Sequence, residues 1–421
     1  MVDHGDGTYS ITTKSTKTGT DNFIYTVDGI NGTGTAPVTY LPGTAVAGQS
    51  VISASPTSIV ANNTTTSTVR VQLRDQYGNN LITGGDTVTI TVQGTAIGTP
   101  ETTVQDHGNG TYTITTKSTT VGTDTFEYTV NSDAGNGTAN VTYTPGVADP
   151  SQSIITANPV SITANGTTVS TVTVQLRDQY GNDLVTGGNT VLISIDGTAI
   201  GSLSHTIDRA DGTYIATVTS TVTGVDTFKY TVDSVAGNGT TTVTYVPGIA
   251  DATQSTIVAS PTTIIADNIE YSTITVKLYD AYNNALVSGG DNVTITTSNT
   301  TIGTPDATVT DHGDGTYTII TKSTVAGTDT FVYTVNTATG NGNAPVTYTA
   351  GPADPGTSTI TANPTSILAD GSTTSTITVR LKDQYGNNLP TGGDSVTIFV
   401  NGTAIGIPET IVIDHNNGTY S

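Results

Sequence analysis

The chain has 421 residues, no cysteine, and 34 Asp plus Glu against 12 Lys plus Arg. Without cysteine, disulfides, zinc–thiolate clusters and thiol nucleophiles are excluded, so packing and sheet hydrogen bonds must hold the fold together. The net charge of −22 opposes binding to nucleic acid and to anionic membranes, and we expect contact with neither.

The first 43 residues match the second half of a repeat that returns later in the chain. Their clearest feature is a turn in which Asp3, Gly7 and Tyr9 stand at a fixed spacing. The same turn returns with its Asp at Asp106, Asp208, Asp311 and Asp414. We expect each copy to be a tight turn that delivers its Tyr into a strand.

A longer repeat organises the rest of the chain. VQLRDQYGNNLITGGDTVTITV at Val71–Val92 returns three times in nearly the same form, and its first Asp falls at Asp75, Asp178, Asp280 and Asp383. The steps are 103, 102 and 103 residues, a usual size for one domain. Apolar and polar residues alternate on both sides of a Gly-rich turn, which predicts strands that bury one face.

One position of that turn indicates a backbone constraint. Gly78, Gly181 and Gly386 are matched by Asn283 in the third copy. Gly and Asn are the residues that best tolerate a positive φ. We therefore expect a left-handed residue here in every copy, rather than a chemical role.

The other predicted elements follow in chain order. Within Thr123–Val130 we expect Phe126 and Tyr128 to face inward, and a last strand is predicted at Val141–Tyr143. A connector of about ten residues then leads directly to the next strand, such as Ile154–Pro159. Because the connectors contain Pro, which restricts the backbone, and few consecutive Gly or Ser residues, we expect them to be semi-rigid.

Each unit contains roughly seven such strands, with turn signals about every eight to twelve residues. This predicts an all-β chain of tandem immunoglobulin-like antiparallel β-sandwiches arranged as a rod. The predicted division is a C-terminal part of a unit at 1–43, whole units at 50–146, 153–248 and 255–351, and an N-terminal part at 356–421.

The motifs taken together resemble a known family. Copies of SxITAxPxSIxANGTTxSTVTVxLxDxYGNxL are followed by VTDHGDGTYTITxKST and GTDTFxYTV. These are similar to the group 1 bacterial immunoglobulin-like domains of the invasin and intimin family of surface adhesins. The resemblance implies an extracellular stalk on a cell surface, with a host ligand bound through a domain outside these residues.

Several acidic and histidine residues could form a catalytic or metal site, but the differences between repeats favour a role as turn residues. Arg209 replaces, in one repeat, the imidazole that follows the turn Asp elsewhere, so a catalytic or metal-binding Asp–His pair is disfavoured. The histidines concerned are His4, His107, His312 and His415, with His205 elsewhere. Asp311 and Asp314 offer oxygen ligands for calcium, but Asn replaces Asp314 in two copies, which favours an Asx turn.

Three other groups of residues are candidate sites, and each has an argument against it. The connector residues Asp149, Asp251 and Asp354 are a second calcium candidate, against which Val46 in the first connector argues. A Lys–Asn cross-link through Lys14, Lys117 and Lys322 is opposed by Thr219 in the remaining unit. N-glycosylation sequons such as Asn165-Gly166-Thr167 result from NGT turns, and they indicate glycans only in a host that makes them. We predict no enzyme activity, no cofactor, and no catalytic or metal site.

Three hypotheses about the function of the chain remain. The leading hypothesis is a stalk that gives reach and mechanical continuity, whose partners are neighbouring immunoglobulin-like domains of the same or an adjacent chain. A module that binds a glycan or host protein is the alternative, disfavoured because Trp is absent and the recurring Tyr and Phe are expected to face inward. The third is a head-to-tail filament in which residues 1–43 of one molecule complete residues 356–421 of the next, as against simple truncation.

Overall fold

The computed structural model describes the chain except residues 95, 197–199, 300 and 403–404. In the described residues every element is a strand apart from one 3-10 turn at Ala47–Gln49. The predicted all-β class is confirmed. No helix among these residues is long and apolar enough to cross a membrane.

Residues 1–43 form three small two-stranded antiparallel sheets. In them β1 pairs with β2, β3 with β6, and β4 with β5. Apolar side chains such as Ile24 and Tyr25 are largely exposed. The strands are β1 (Val2–Asp3), β2 (Tyr9–Ser10), β3 (Gly19–Phe23), β4 (Thr26–Val27), β5 (Ile30–Asn31) and β6 (Ala36–Tyr40).

The following segment, through residue 144, is a sandwich of two sheets. One sheet has the order β11-β12-β9-β7 and the other β10-β13-β15-β8, with β14 paired to β13. The strands are β7 (Val51–Ser55), β8 (Ser58–Val60), β9 (Ser67–Gln72), β10 (Val88–Val92), β11 (Gln105–Asp106), β12 (Thr111–Thr116), β13 (Gly122–Val130), β14 (Asp133–Ala134) and β15 (Ala139–Thr144). Seven strands of at least three residues agree with the sequence pattern.

Two further sandwiches repeat this plan. The first contains β16 (Ile154–Asn158), β17 (Ser161–Thr163), β18 (Ser170–Gln175), β19 (Val191–Asp196), β20 (Ser202–Leu203), β21 (Ile207–Asp208), β22 (Thr213–Thr219), β23 (Gly224–Val232), β24 (Val235–Ala236) and β25 (Thr241–Val246). The second contains β26 (Thr256–Ser260), β27 (Thr263–Ile265), β28 (Ser272–Lys277), β29 (Val293–Thr297), β30 (Thr310–Asp311), β31 (Thr316–Thr321), β32 (Gly327–Val335), β33 (Ala338–Thr339) and β34 (Ala344–Thr349).

In the described residues of the last segment, one three-stranded sheet has the order β35-β36-β37. Its strands are β35 (Thr359–Asn363), β36 (Thr376–Arg380) and β37 (Thr419–Tyr420). Tyr420 is buried against Leu381 and Leu389, whereas Phe399 remains 81% exposed.

Each sandwich departs from a purely antiparallel plan at one place. Strand β8 pairs in parallel with β15, Ile59 lying opposite Tyr143. Only Pro56 and Thr57 separate β7 from β8, yet the two strands belong to different sheets. The chain therefore crosses between the sheets without reversing direction, and this places β8 parallel to the last strand.

The longer repeat also crosses the sandwich. Its first strand, β9, lies in one sheet and its second, β10, in the other, so the Gly-rich segment between them is not a hairpin. The inward residues follow the predicted alternation, since Phe126 and Tyr128 are at most 2% exposed. The crossing segment starts at the end of the sandwich that faces the preceding unit.

Candidate functional site: the joint between units

The turn at the start of the crossing segment is built around a buried carboxylate. Asp178 is 1% exposed, and its Oδ1 accepts the amides of Tyr180 and Asn182, both at 3.0 Å. The Asn182 side chain donates Nδ2 to Asp178 Oδ2 at 2.9 Å. Gly181, which closes the turn, has φ of 83°. The turn thus fixes the positions of the Tyr and Asn side chains.

The expected backbone constraint is present in all four copies. The φ angles are 82° at Gly78, 83° at Gly181, 65° at Asn283 and 88° at Gly386. A Cβ added at Gly181 would meet nothing within 4 Å, so space does not select glycine there. The positive φ alone accounts for the Gly and Asn exchange.

The same carboxylate fastens the connector that enters the unit. The amide of Gly146 donates to Asp178 Oδ2 at 2.9 Å, and the amide of Asp149 donates to the Arg177 carbonyl at 2.7 Å. Together with the bond from the Arg177 amide to Ser153 Oγ at 3.0 Å, these hydrogen bonds hold the connector against the following unit. Equivalent Gly-to-Asp bonds of 2.9–3.0 Å join Gly43 to Asp75, Gly248 to Asp280 and Gly351 to Asp383.

The Asn side chain reaches in the opposite direction, into the preceding unit. Asn182 donates Nδ2 to the Thr119 carbonyl at 2.9 Å, and its Oδ1 accepts the Val121 amide at 3.2 Å. Asn79, Asn284 and Asn387 make the same two bonds, with carbonyl distances of 3.0, 2.9 and 2.9 Å. One side chain thus bridges two neighbouring segments of the chain, and at Asn182 and Asn284 both segments are sandwiches.

The Tyr of the turn adds a third contact to the preceding unit. Tyr180 donates its hydroxyl to the Asn62 carbonyl at 3.2 Å, and Tyr282 donates to the Asn165 carbonyl at 2.9 Å. Tyr385 does the same to Asp267 at 3.1 Å. These rings are 45–50% exposed, so the expectation that the recurring Tyr face inward is wrong at this position. Because the hydroxyl bonds to a carbonyl of the preceding unit, the ring lies at the surface between the two units.

Hydrogen bonds to the carboxylate control its protonation. Burial alone would raise the pKa of Asp178, but the amide of Gly146 and the side chain and amide of Asn182 lower it below its ordinary value. At the first joint the Asn79 side chain is the largest cause, and the pKa of Asp75 falls to about 2. The joint carboxylates are therefore ionised at neutral pH and act only as acceptors.

The comparison with known families decides what this chain is. The family described as Invasin, domain 3 matches residues 46–146, 149–248, 251–351 and 354–421. The chain belongs to this family. It is an adhesin-family repeat protein built of invasin- and intimin-like immunoglobulin-like units, which confirms the resemblance drawn from the motifs.

Several known proteins are similar to this chain. Inverse autotransporter adhesin YeeJ of Escherichia coli K12 is 28% identical over 171 residues, 40% of this chain and 6% of that protein. The structure of FdeC, an Escherichia coli adhesin, is 23% identical with a TM-score of 0.51, covering 74% of this chain and 100% of the other. Yersinia pseudotuberculosis InvD is 24% identical with a TM-score of 0.44, covering 71% and 96%. The chain spans a small part of the curated relative's length.

The Asp–His turns of these invasin-type units make bonds within their own unit. Asp106 accepts the amides of Gly108 and Gly85 at 2.8 Å each, and His107 Nε2 lies 2.8 Å from Thr113 Oγ1. Asp314 accepts the amide of Thr316 at 3.0 Å, as expected for an Asx turn. In the described residues no group of three or more His, Asp or Glu is placed to hold a metal ion.

The remaining candidates take part in local structure. The Asp149 Oδ1 accepts the amide and hydroxyl of Ser151 at 2.8 and 2.7 Å. Lys117 and Lys322 are partly buried, and Lys14 is exposed. The side chain of the sequon residue Asn165 accepts the amides of Thr167 and Thr168 at 3.0 and 2.7 Å. These side-chain bonds stay local, whereas the backbone carbonyl of Asn165 takes part in the next joint by accepting the Tyr282 hydroxyl at 2.9 Å.

Proposed function

We propose that this chain is a stalk segment of a cell-surface adhesin, which gives reach and mechanical continuity and performs no catalysis. The proposal takes the units as 50–146, 153–248 and 255–351, flanked by parts at 1–43 and 356–421, and places them outside the cell. The single observation that carries it is the repeated joint, in which one buried Asp and one Asn tie the connector and both sandwiches together.

A stalk needs joints that resist bending, and these joints have the necessary bonds. Each of the three later joints has at least two bonds on the connector, two on the Asn and one on the Tyr. A protein hydrogen bond contributes about 1 kcal/mol net, so the five together oppose opening of the joint by several kcal/mol. In a linear array each unit contacts only its neighbours, so the resistance of each joint sets the stiffness of the whole.

The exposed Tyr rings favour a second candidate function. Tyr180, Tyr282 and Tyr385 present half-exposed rings at successive joints. Exposed aromatic rings are a common feature of surfaces that bind glycans, so a repeated glycan-binding surface is the alternative. The stalk is favoured because all three hydroxyls are already bonded to the preceding unit.

Solution scattering on the full chain tests the stalk. Strands of six to ten residues at about 3.3 Å each, with end loops, give each sandwich roughly 35–45 Å, so four in line reach on the order of 150 Å. We expect a maximum dimension near that value that does not change with salt. A substantially shorter dimension would refute the stalk. A glycan array probed with the same chain tests the alternative, because specific binding lost in Tyr180→Ala would support it.

A further inference from the structure

The two sides of each joint contribute different kinds of atoms. The following unit contributes side chains, and these are identical in all four copies: Asp, Tyr and Asn. The connector also contributes a side chain, since Ser153 Oγ accepts the Arg177 amide at 3.0 Å. The atoms that the preceding unit and the connector Gly present to the Asp, Tyr and Asn are backbone atoms. At the joint before Asp178 these are the amides of Gly146 and Val121 and the carbonyls of Thr119 and Asn62.

Some residues on the backbone side vary in their side chains, although the carbonyl that accepts from the Asn belongs to a Thr at each joint. The amide that donates to the Asn belongs to Val121, Thr223 or Ala326 at the three later joints. The carbonyl that accepts from the Tyr belongs to Asn165 at one of these joints and to Asp267 at the next. Bond lengths are nevertheless similar, since the Asn-to-carbonyl distance is 2.9 Å at all three.

Because the preceding unit is recognised through its backbone atoms, formation of the joint depends little on the side chains of that unit. Every residue has a carbonyl and every residue except Pro has an amide, so exchanging side chains at these positions leaves the donors and acceptors in place. The connector also keeps the two surfaces close together, which supplies a high effective concentration and makes a few bonds sufficient.

We infer that the Asp, Tyr and Asn surface of each unit accepts the end of any unit of this fold, so that units join in any order with the same geometry. The inference rests on the joint that the proposed function uses. The partner it fits is the loop end of another such sandwich, with the carbonyls and amide equivalent to those of Asn62, Thr119 and Val121 in position.

Exchanging two blocks of the full chain tests this directly. If residues 147–248 and 249–351 trade places, Val121 meets Asn284, Ala326 meets Asn182, and Thr223 meets Asn387. Hydrogen exchange of the amides of Val121, Thr223 and Ala326, followed by NMR, reports each joint because the Asn side chain is their acceptor. We expect protection within about twofold of the original order. A loss of tenfold or more would overturn the inference.

Two variants make the result unambiguous. The full chain with Asn182→Ala, Asn284→Ala and Asn387→Ala defines the unprotected level. The full chain with Thr223→Ala and Ala326→Thr exchanges two side chains without moving any unit. This variant therefore tests the inference even if the rearranged chain fails to fold. If these two amides lose their protection in the second variant but keep it in the original chain, only this inference fails. If the original chain already exchanges as fast as the triple variant, the joint of the proposed function fails instead.

Discussion

Two of the turns that begin with Asp in each repeat differ in what they hold. Asp178 is buried and bonds the connector, while the Asn fixed beside it bonds the preceding unit. Asp208 is exposed and accepts the amides of Ala210 and Gly188, at 2.7 and 2.9 Å, within its own unit. A turn of similar composition can thus close a local loop or join two domains, and burial and bonding partners distinguish the roles.

The largest expected effect separates the two aspartates. Asp178→Ala leaves the amides of Gly146, Tyr180 and Asn182 without their acceptor, and each unsatisfied buried group costs about 1–3 kcal/mol. We expect a loss of about 3 kcal/mol or more in the free energy of unfolding. Asp208→Ala removes exposed bonds and should cost about 1 kcal/mol. Chemical denaturation of the full chain measures both, and equal losses would contradict the distinction.

The second effect tests the backbone of the joint turn. Gly181→Val forces a β-branched residue to a positive φ and should cost about 1–3 kcal/mol. Gly181→Asn should cost less, because Asn283 occupies the equivalent position with φ of 65°. Thermal unfolding compares the two variants. Since a Cβ at this position meets nothing within 4 Å, identical melting temperatures would mean that the φ angle imposes no constraint.

Acid should weaken the joint turns. A folded-state pKa below the unfolded value means that the carboxylate stabilises the fold above the unfolded pKa, and that this contribution is lost as pH falls through the folded pKa. For Asp75 the interval runs from the ordinary 3.8 down to about 2. We expect the melting temperature to fall across this interval, and to fall less in Asp75→Asn. An unchanged pH dependence in that variant would contradict the assignment.

The smallest effect concerns the Tyr hydroxyl. Tyr180→Phe removes one partly exposed bond to the Asn62 carbonyl and should cost at most about 1 kcal/mol. Tyr77→Phe is the matched control, because residues 1–43 contain no counterpart of Asn62 and the described residues give the Tyr77 hydroxyl no such bond. Calorimetry of the two variants should show a small loss only for the first. A matching loss in Tyr77→Phe would assign the effect to removal of the hydroxyl itself rather than to the bond across the joint.

The sequence was sufficient for what depends on local pattern. Alternation placed Phe126 and Tyr128 inside, and the Gly and Asn exchange located the left-handed residue of the turn. The role of Asn182 was missed because its partners, Thr119 and Val121, lie about 60 residues earlier in another unit. The available signal was an Asn four positions after the Asp in all four copies. The parallel pair of β8 and β15 was missed because a period of two gives no strand direction.

Head-to-tail assembly stays a prediction. The terminal segments expose apolar side chains, among them Tyr25 in one and Phe399 in the other. If residues 1–43 of one molecule complete residues 356–421 of the next, light scattering should show a mass that rises with concentration for the full chain. A chain limited to residues 50–351 should then stay monomeric. A constant monomer mass for both would reject assembly.

The most direct test of a fixed joint is a distance across it. Because the chain has no cysteine, Thr91→Cys and Ser194→Cys place two spin labels at equivalent exposed positions of neighbouring units. Pulsed electron paramagnetic resonance then gives the distribution of distances between the labels. We expect a single narrow distribution that broadens when Asn182→Ala removes the bonds to Thr119 and Val121. A broad distribution in the original chain, or one unchanged by the substitution, would contradict a joint held by this side chain.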